Sequence, residues 1–249
     1  MSNKITCDCG AVITKRGYKQ HLLTKKHIKG AGLMDIIKSG VHMVKNAFSK
    51  PNANKESVKS SILMPDTKTL YKMAEASYST ELHDIAPYKR ILRTPYLTVY
   101  TNNHVLVLAV RGTDIKDSKD LIADVQISLG KLRESERYKK DVEIIKELKR
   151  NDELKNMYWV ATGHSLGGAL IDEFLKDGVI SEAVTFNPAV SKEFNNVNNK
   201  NRRIYMSNDP LYLLMGKHTK YHEVRERPNV SVMKSHSLQN FVGGKKLNC

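Results

Sequence analysis

Gly163-His164-Ser165-Leu166-Gly167 sets a serine between two glycines at G-x-S-x-G spacing. A serine on a sharp strand-to-helix turn keeps its hydroxyl clear of the main chain, and the glycines remove side chains that would block the bend. Such a hydroxyl is a poor nucleophile at neutral pH, so it needs a base within hydrogen-bond reach and a carboxylate to orient that base. Downstream, the first well-placed acid is Asp209, in an Asn208-Asp209-Pro210 turn after an expected short strand over 204–206, whereas Asp172 and Asp177 fall on the helix that follows the serine. Three histidines come after Asp209: His218, His222 and His236. His236 is the favoured base, because Lys234-Ser235-His236-Ser237 is a polar turn near the C-terminus that can swing back over the serine. His218 and His222 flank a basic segment expected to form a strand and stay open as alternatives. His164 is expected to pack behind the nucleophile, pointing away from it. The chemistry these residues suit is acyl transfer.

A second group of chemical side chains lies near the N-terminus. Cys7 and Cys9 are one residue apart, eleven residues precede His21, and His27 completes H-x5-H. Four such ligands are enough for a closed tetrahedral zinc site, given a sharp hairpin around Asp8 and Gly10. The alternative is a basic arm carrying two unligated cysteines and two surface histidines.

Elements must hold these residues in place. Met157 to Thr162 reads as a buried strand, and Ala169 to Lys176 as a helix with apolar residues at Leu170, Ile171, Phe174 and Leu175. At 249 residues and 40% hydrophobic content, the chain suits one α/β domain plus a small appendage. It has no apolar run long enough to span a membrane. Its first residues, Met1-Ser2-Asn3-Lys4, do not lead into a signal-peptide core. Three cysteines, one of them the last residue, make no disulfide framework. The expectation is a protein of the cytoplasm or one packaged into a virion.

Charge is uneven: residues 1–60 hold 12 Lys or Arg against 3 Asp or Glu, a net of +9 out of +15 for the chain. This basic head suits phosphates of nucleic acid, an acidic protein or an anionic bilayer. No set of base-reading positions stands out, so nucleic acid is not the favoured partner. Residues 33–49 form a cationic amphipathic pattern in which Asp35, Lys38, Ser39, His42, Lys45, Asn46 and Ser49 share one arc of roughly 120° on a helical wheel. Such a helix suits peripheral contact with a lipid surface, or else packing on the main domain. The organisation expected is a zinc-finger-like head over 1–30, the helix over 31–49, a polar linker over 50–64 and the main domain over 65–249.

Four further segments carry a resemblance. Ala109-Val110-Arg111-Gly112-Thr113-Asp114, Lys119-Asp120-Leu121-Ile122-Ala123-Asp124-Val125, Val184-Thr185-Phe186-Asn187-Pro188 and Asn208-Asp209-Pro210 resemble, in order, motifs of the class 3 (fungal-type) lipases: F-R-G-S/T, D-W-x-x-D-L, T-F-G-x-P and N-D-P. The resemblance implies an α/β-hydrolase with a mostly parallel central sheet, acting on carboxylic esters of acyl lipids with no catalytic cofactor. It implies that Thr113 donates its backbone N–H to the oxyanion. Leu166 N–H is the second donor, in keeping with the rule that the residue after the nucleophile supplies one. Leu121 stands where the family usually has Trp, and the stretch after Thr113 is short, which argues against a large lid. Residues 117–132 are expected to be a small cover or ordinary core. The head resembles minimal zinc fingers on proteins of large DNA viruses. Two other functions fit the sequence less well: a non-catalytic zinc-finger targeting protein on an inert hydrolase scaffold, and a small-ester hydrolase without a lipid interface.

Overall fold

The computed structural model describes residues 4–6, 12–14, 64–79, 83–102, 104–113, 130–190, 200–214, 222–226, 231–241 and 245–246. The head contributes β1 (Lys4–Thr6) and β2 (Val12–Thr14), an antiparallel pair in the register Lys4↔Thr14, Ile5↔Ile13 and Thr6↔Val12. Cys7, Cys9, His21 and His27, the amphipathic segment 33–49 and most of the 117–132 stretch lie outside the described residues.

The main domain is built on an eight-stranded sheet in the order β10-β9-β8-β7-β6-β5-β4-β3. Its strands are β3 (Lys89–Arg93), β4 (Leu97–Thr101), β5 (Val105–Val110), β6 (Tyr158–His164), β7 (Glu182–Phe186), β8 (Asn201–Met206), β9 (His222–Glu226) and β10 (Lys245–Lys246). β5 to β9 run parallel, while β3, β4 and β10 are antiparallel to their neighbours. The middle of the sheet is buried on both faces, which is why β5 reads as the unbroken apolar run VLVLAV.

Side-chain alternation along β5 divides the core. Leu106, Leu108 and Val110 pack on one face with Ile144, Ile145 and Leu148 of α2 (Glu136–Arg150) and Leu170, Ile171 and Phe174 of α3 (Leu166–Lys176). Val105, Val107 and Ala109 face the other way, against Leu70, Met73 and Ala74 of α1 (Thr67–Ala76) and against Leu238 and Phe241. The result is a three-layer α/β arrangement. Side-chain caps start two of the helices: Asp66 accepts from Thr69 N at 2.7 Å, and Ser135 accepts from Tyr138 N at 3.1 Å. Among the described residues no helix is long and apolar enough to cross a membrane.

Two element boundaries differ from the sequence expectation, for physical reasons. The strand before the serine runs two residues further, to His164, because Gly163 and His164 still pair with Thr185 and Phe186 of β7. β8 starts at Asn201 rather than Ile204, since the polar residues Asn201 and Arg203 are buried there by partners on α3. Arg203 Nη2 lies 2.9 Å from Asp172 Oδ1, and Asn201 Nδ2 donates to the same oxygen at 2.8 Å. A count of apolar residues misses a strand held by an ion pair.

Candidate active site

Ligand sites in parallel α/β sheets form at the carboxyl ends of the strands. Ser165, Asp209, His236, Thr113 and Leu166 lie there. Ser165 follows β6 and is the N-cap of α3, with φ 55 and ψ −127, a left-handed conformation that is strained for a serine. The strain is held by the backbone: Ser165 N donates to Phe186 O at 3.3 Å, and Ser165 O accepts from Gly168 N at 2.9 Å and Ala189 N at 3.0 Å. Its Oγ is buried and makes no hydrogen bond with the described residues.

Close approach, rather than a special dihedral angle, explains two glycines. A Cβ on Gly167 would come within 2.3 Å of Val110 O, so the serine turn rests directly on the end of β5. A Cβ on Gly112 would lie 2.4 Å from Tyr78 Oη, 2.5 Å from His164 O and 3.2 Å from Ser165 Cβ. The Arg111-Gly112-Thr113 segment therefore lies against Ser165. Arg137 of α2 donates to Arg111 O and fixes that segment from the helix side. Its Nε is 3.7 Å from Asp141 Oδ2, and burial pushes the Asp141 carboxyl up to about 6 despite the guanidinium beside it. Thr113, exposed, follows Gly112, and Leu166 opens α3, where its N–H has no partner within the helix.

Asp209 is fully buried in the turn after β8. One of its oxygens, Oδ1, accepts from Leu211 N at 2.8 Å and Tyr212 N at 3.1 Å, at the start of α4 (Pro210–Leu214). The other, Oδ2, lies 2.7 Å from His236 Nδ1. This geometry assigns the proton to Nδ1 and leaves the lone pair on Nε2, which is buried and makes no hydrogen bond with the described residues. His236 follows the short helix α5 (Val232–Ser235), and the Ser235 hydroxyl donates to Asn208 O at 2.8 Å, tying the histidine turn to the acid turn.

The structure does not bring His222 to this edge. It pairs with Arg203, three residues before the end of β8, and packs beside the rings of Tyr205 and Tyr212. Three residues of strand are about 10 Å. His218 lies outside the described residues. Sequence reading passed over two residues in this region, Tyr78 and Asn187. Asn187, with φ 40, stands at the glycine of the T-F-G-x-P motif and tolerates the left-handed region as Asn can. Its Oδ1 accepts from Met206 N at 2.8 Å, while Nδ2 donates to Ser235 O at 3.2 Å. Its place in the motif could have flagged it, whereas nothing local marks Tyr78.

A sequence-family model described as phospholipase-like, the Tle-like phospholipase domain, matches residues 64–207, more than half of the chain. The chain belongs to this Tle-like phospholipase family. As a member it is a carboxylic-ester hydrolase acting on lipid esters. Solved structures similar to this chain include Lip2 lipase from Yarrowia lipolytica, at 14% identity and TM-score 0.43, covering 70% of this chain and 88% of that one. Rhizomucor miehei triacylglyceride lipase is similar at 16% identity and TM-score 0.39, with coverage of 64% and 77%. A mutant form of MDLA from Penicillium cyclopium is similar at 17% identity and TM-score 0.43, with coverage of 73% and 83%. No curated protein sequence matches significantly. The three-layer architecture, parallel central strands and strained serine turn make an α/β-hydrolase fold.

Proposed function

We propose that the protein is a serine phospholipase in which Ser165, His236 and Asp209 form the catalytic triad. The observation that carries this reading is the 2.7 Å pairing of His236 Nδ1 with buried Asp209, on the strand edge that also holds the strained Ser165 turn. Ser165 Oγ attacks the ester carbonyl as its proton passes to His236 Nε2. Asp209 holds the imidazole in the required tautomer and stabilises the imidazolium. The Thr113 and Leu166 N–H groups receive the charge that develops on the carbonyl oxygen. The imidazolium then protonates the leaving alcohol, and water repeats the sequence to release the fatty acid and free the serine.

A lipid surface as the place of reaction is supported by two features. One is the cationic amphipathic pattern at 33–49. The other is where apolar side chains are exposed: Tyr96 at 48%, Leu213 at 39% and Leu214 at 48% are the exposed large apolar residues among those described. Tyr96 precedes β4, whose first residue Leu97 pairs with Val110 at the end of β5, and the leucines end α4 just after Asp209. All three lie on the strand edge that carries Ser165. Phospholipid is proposed as the substrate ahead of triacylglycerol because the basic head suits an anionic bilayer.

The test is labelling by a fluorophosphonate together with fatty-acid release from anionic phospholipid vesicles and from triolein emulsion. Labelling with faster release from vesicles is expected. A strong preference for triolein would refute the phospholipid assignment, and well-folded protein that resists labelling beside vesicles would point to an inert scaffold. For the head, we propose structural zinc held by Cys7, Cys9, His21 and His27. Native mass spectrometry should find one zinc per chain, lost in Cys7→Ser and Cys9→Ser; a metal-free native protein would remove the assignment.

A further inference from the structure

We propose that Tyr78 and His164 form a positioning relay that couples the oxyanion turn at Gly112 to the backbone of His236. The role rests on reading His236 as the base. His164 has two ring partners: Nε2 is 2.7 Å from His236 O, and Nδ1 is 3.0 Å from Tyr78 Oη. A carbonyl only accepts, so Nε2 carries the proton and Nδ1 offers its lone pair. The Tyr78 hydroxyl must therefore donate to Nδ1, and its oxygen is left to accept from Gly112 N at 2.9 Å. Donor directions are fixed along the whole chain: Gly112 N–H to Tyr78, Tyr78 O–H to His164, His164 Nε2–H to His236 C=O.

Three separate parts of the fold meet in this relay. Gly112 follows β5 and lies against Ser165; Tyr78 follows α1; His236 follows α5. Asn187 Nδ2 adds a longer contact of 3.4 Å to His236 O. The rings of His164 and His236 also face each other, with centroids 4.6 Å apart and planes at 38°. Burial, with His236 beside it, holds His164 well below the usual histidine range. It thus stays neutral when His236 takes the serine proton, where a second cation would oppose the reaction. His164 and Tyr78 touch no substrate in this scheme. They set where the base and the oxyanion turn stand relative to each other, and misplacement of about 1 Å can cost on the order of 10^2 in rate.

The experiment compares Tyr78→Phe, His164→Gln and His164→Leu with native protein, using p-nitrophenyl butyrate for kcat and KM and NMR for the imidazole protons. Tyr71→Phe is the control, a tyrosine of α1 whose hydroxyl bonds Glu75 on the same helix. In Tyr78→Phe, kcat should fall about 10- to 100-fold with KM within about twofold, and the low-field His236 Nδ1–H resonance should shift. Tyr71→Phe should leave both unchanged. Glutamine offers one acceptor and one donor, so His164→Gln should keep at least about tenfold more kcat than His164→Leu. Native-like kcat and an unmoved resonance in Tyr78→Phe would overturn the relay. Should that variant fail to fold, equal activity of His164→Gln and His164→Leu would overturn it. Those outcomes differ from failure of the triad reading, which would appear as full labelling of Ser165→Ala or His236→Ala.

Discussion

Ser165→Ala and His236→Ala should each lower kcat by on the order of 10^5- to 10^6-fold, and the double variant should lose no more than either alone. In the proposed triad nucleophile and base act as one unit, since an alkoxide-like attack requires both the oxygen and the acceptor for its proton. Once either is gone, the other has no task, and the residual rate comes from the oxyanion donors and substrate binding. Folding should separate the two variants. Ser165 Oγ makes no hydrogen bond with the described residues, so Ser165→Ala breaks none with them and should melt close to the native protein. His236→Ala strands Asp209 Oδ2, fully buried, without its 2.7 Å partner. A buried group left unsatisfied costs about 1–3 kcal/mol, which in a chain of this size lowers Tm by roughly 2–4 °C per kcal/mol. Asp209→Asn should be milder, with a loss of about 10^4, because the amide keeps the shape but favours the wrong tautomer of His236. Steady-state kinetics on a soluble ester, with melting curves for each variant, would decide. Losses that multiply in the double variant would mean that Ser165 and His236 do not work together.

The largest effect on folding is expected at Arg203→Met, about 3–5 kcal/mol. Arg203 is 1% exposed and Asp172 4%, so their contact bridges β8 and α3 within the core. It joins the strand that leads to Asp209 to the helix that begins at Ser165. Methionine fills much of the space but leaves a buried carboxylate facing an apolar group. Burial already raises the Asp172 carboxyl, while Arg203 and the hydrogen bond from Asn201 pull it back. Removing Arg203 takes away the first of those opposing influences, and the folded-state pKa rises further. A raised folded pKa means that the folded protein holds its proton more firmly than the unfolded chain. The destabilisation should therefore be largest at neutral pH and shrink as pH falls through the folded-state pKa. The pair Arg203→Met with Asp172→Leu should regain most of the loss, since apolar groups of similar size can replace a buried ion pair. Urea unfolding of the three variants at neutral and acid pH would check both signs. A deficit that did not shrink in acid would exclude the stranded carboxylate as its cause.

Local features were legible without the fold. Ser165 and its flanking glycines, the buried strand before it and the apolar spacing of 169–176 each depend on a few neighbouring residues and on backbone geometry common to any chain. The Asn208-Asp209-Pro210 turn after a short strand was also legible. The sequence favoured His236 and kept His218 and His222 as alternatives. Between His222 and His236 the difference is pairing register: β9 runs parallel to β8 and sets His222 opposite Arg203, while the 231–241 segment returns His236 to Asp209 across 27 residues. The Tyr78 and His164 contact spans 86 residues, that of His164 and His236 spans 72, and Asp172 meets Arg203 across 31. Such polar contacts follow no periodicity and have no hydrophobic signature. They become favourable only when the packed layers remove water from both partners at once, so they belong to the tertiary structure.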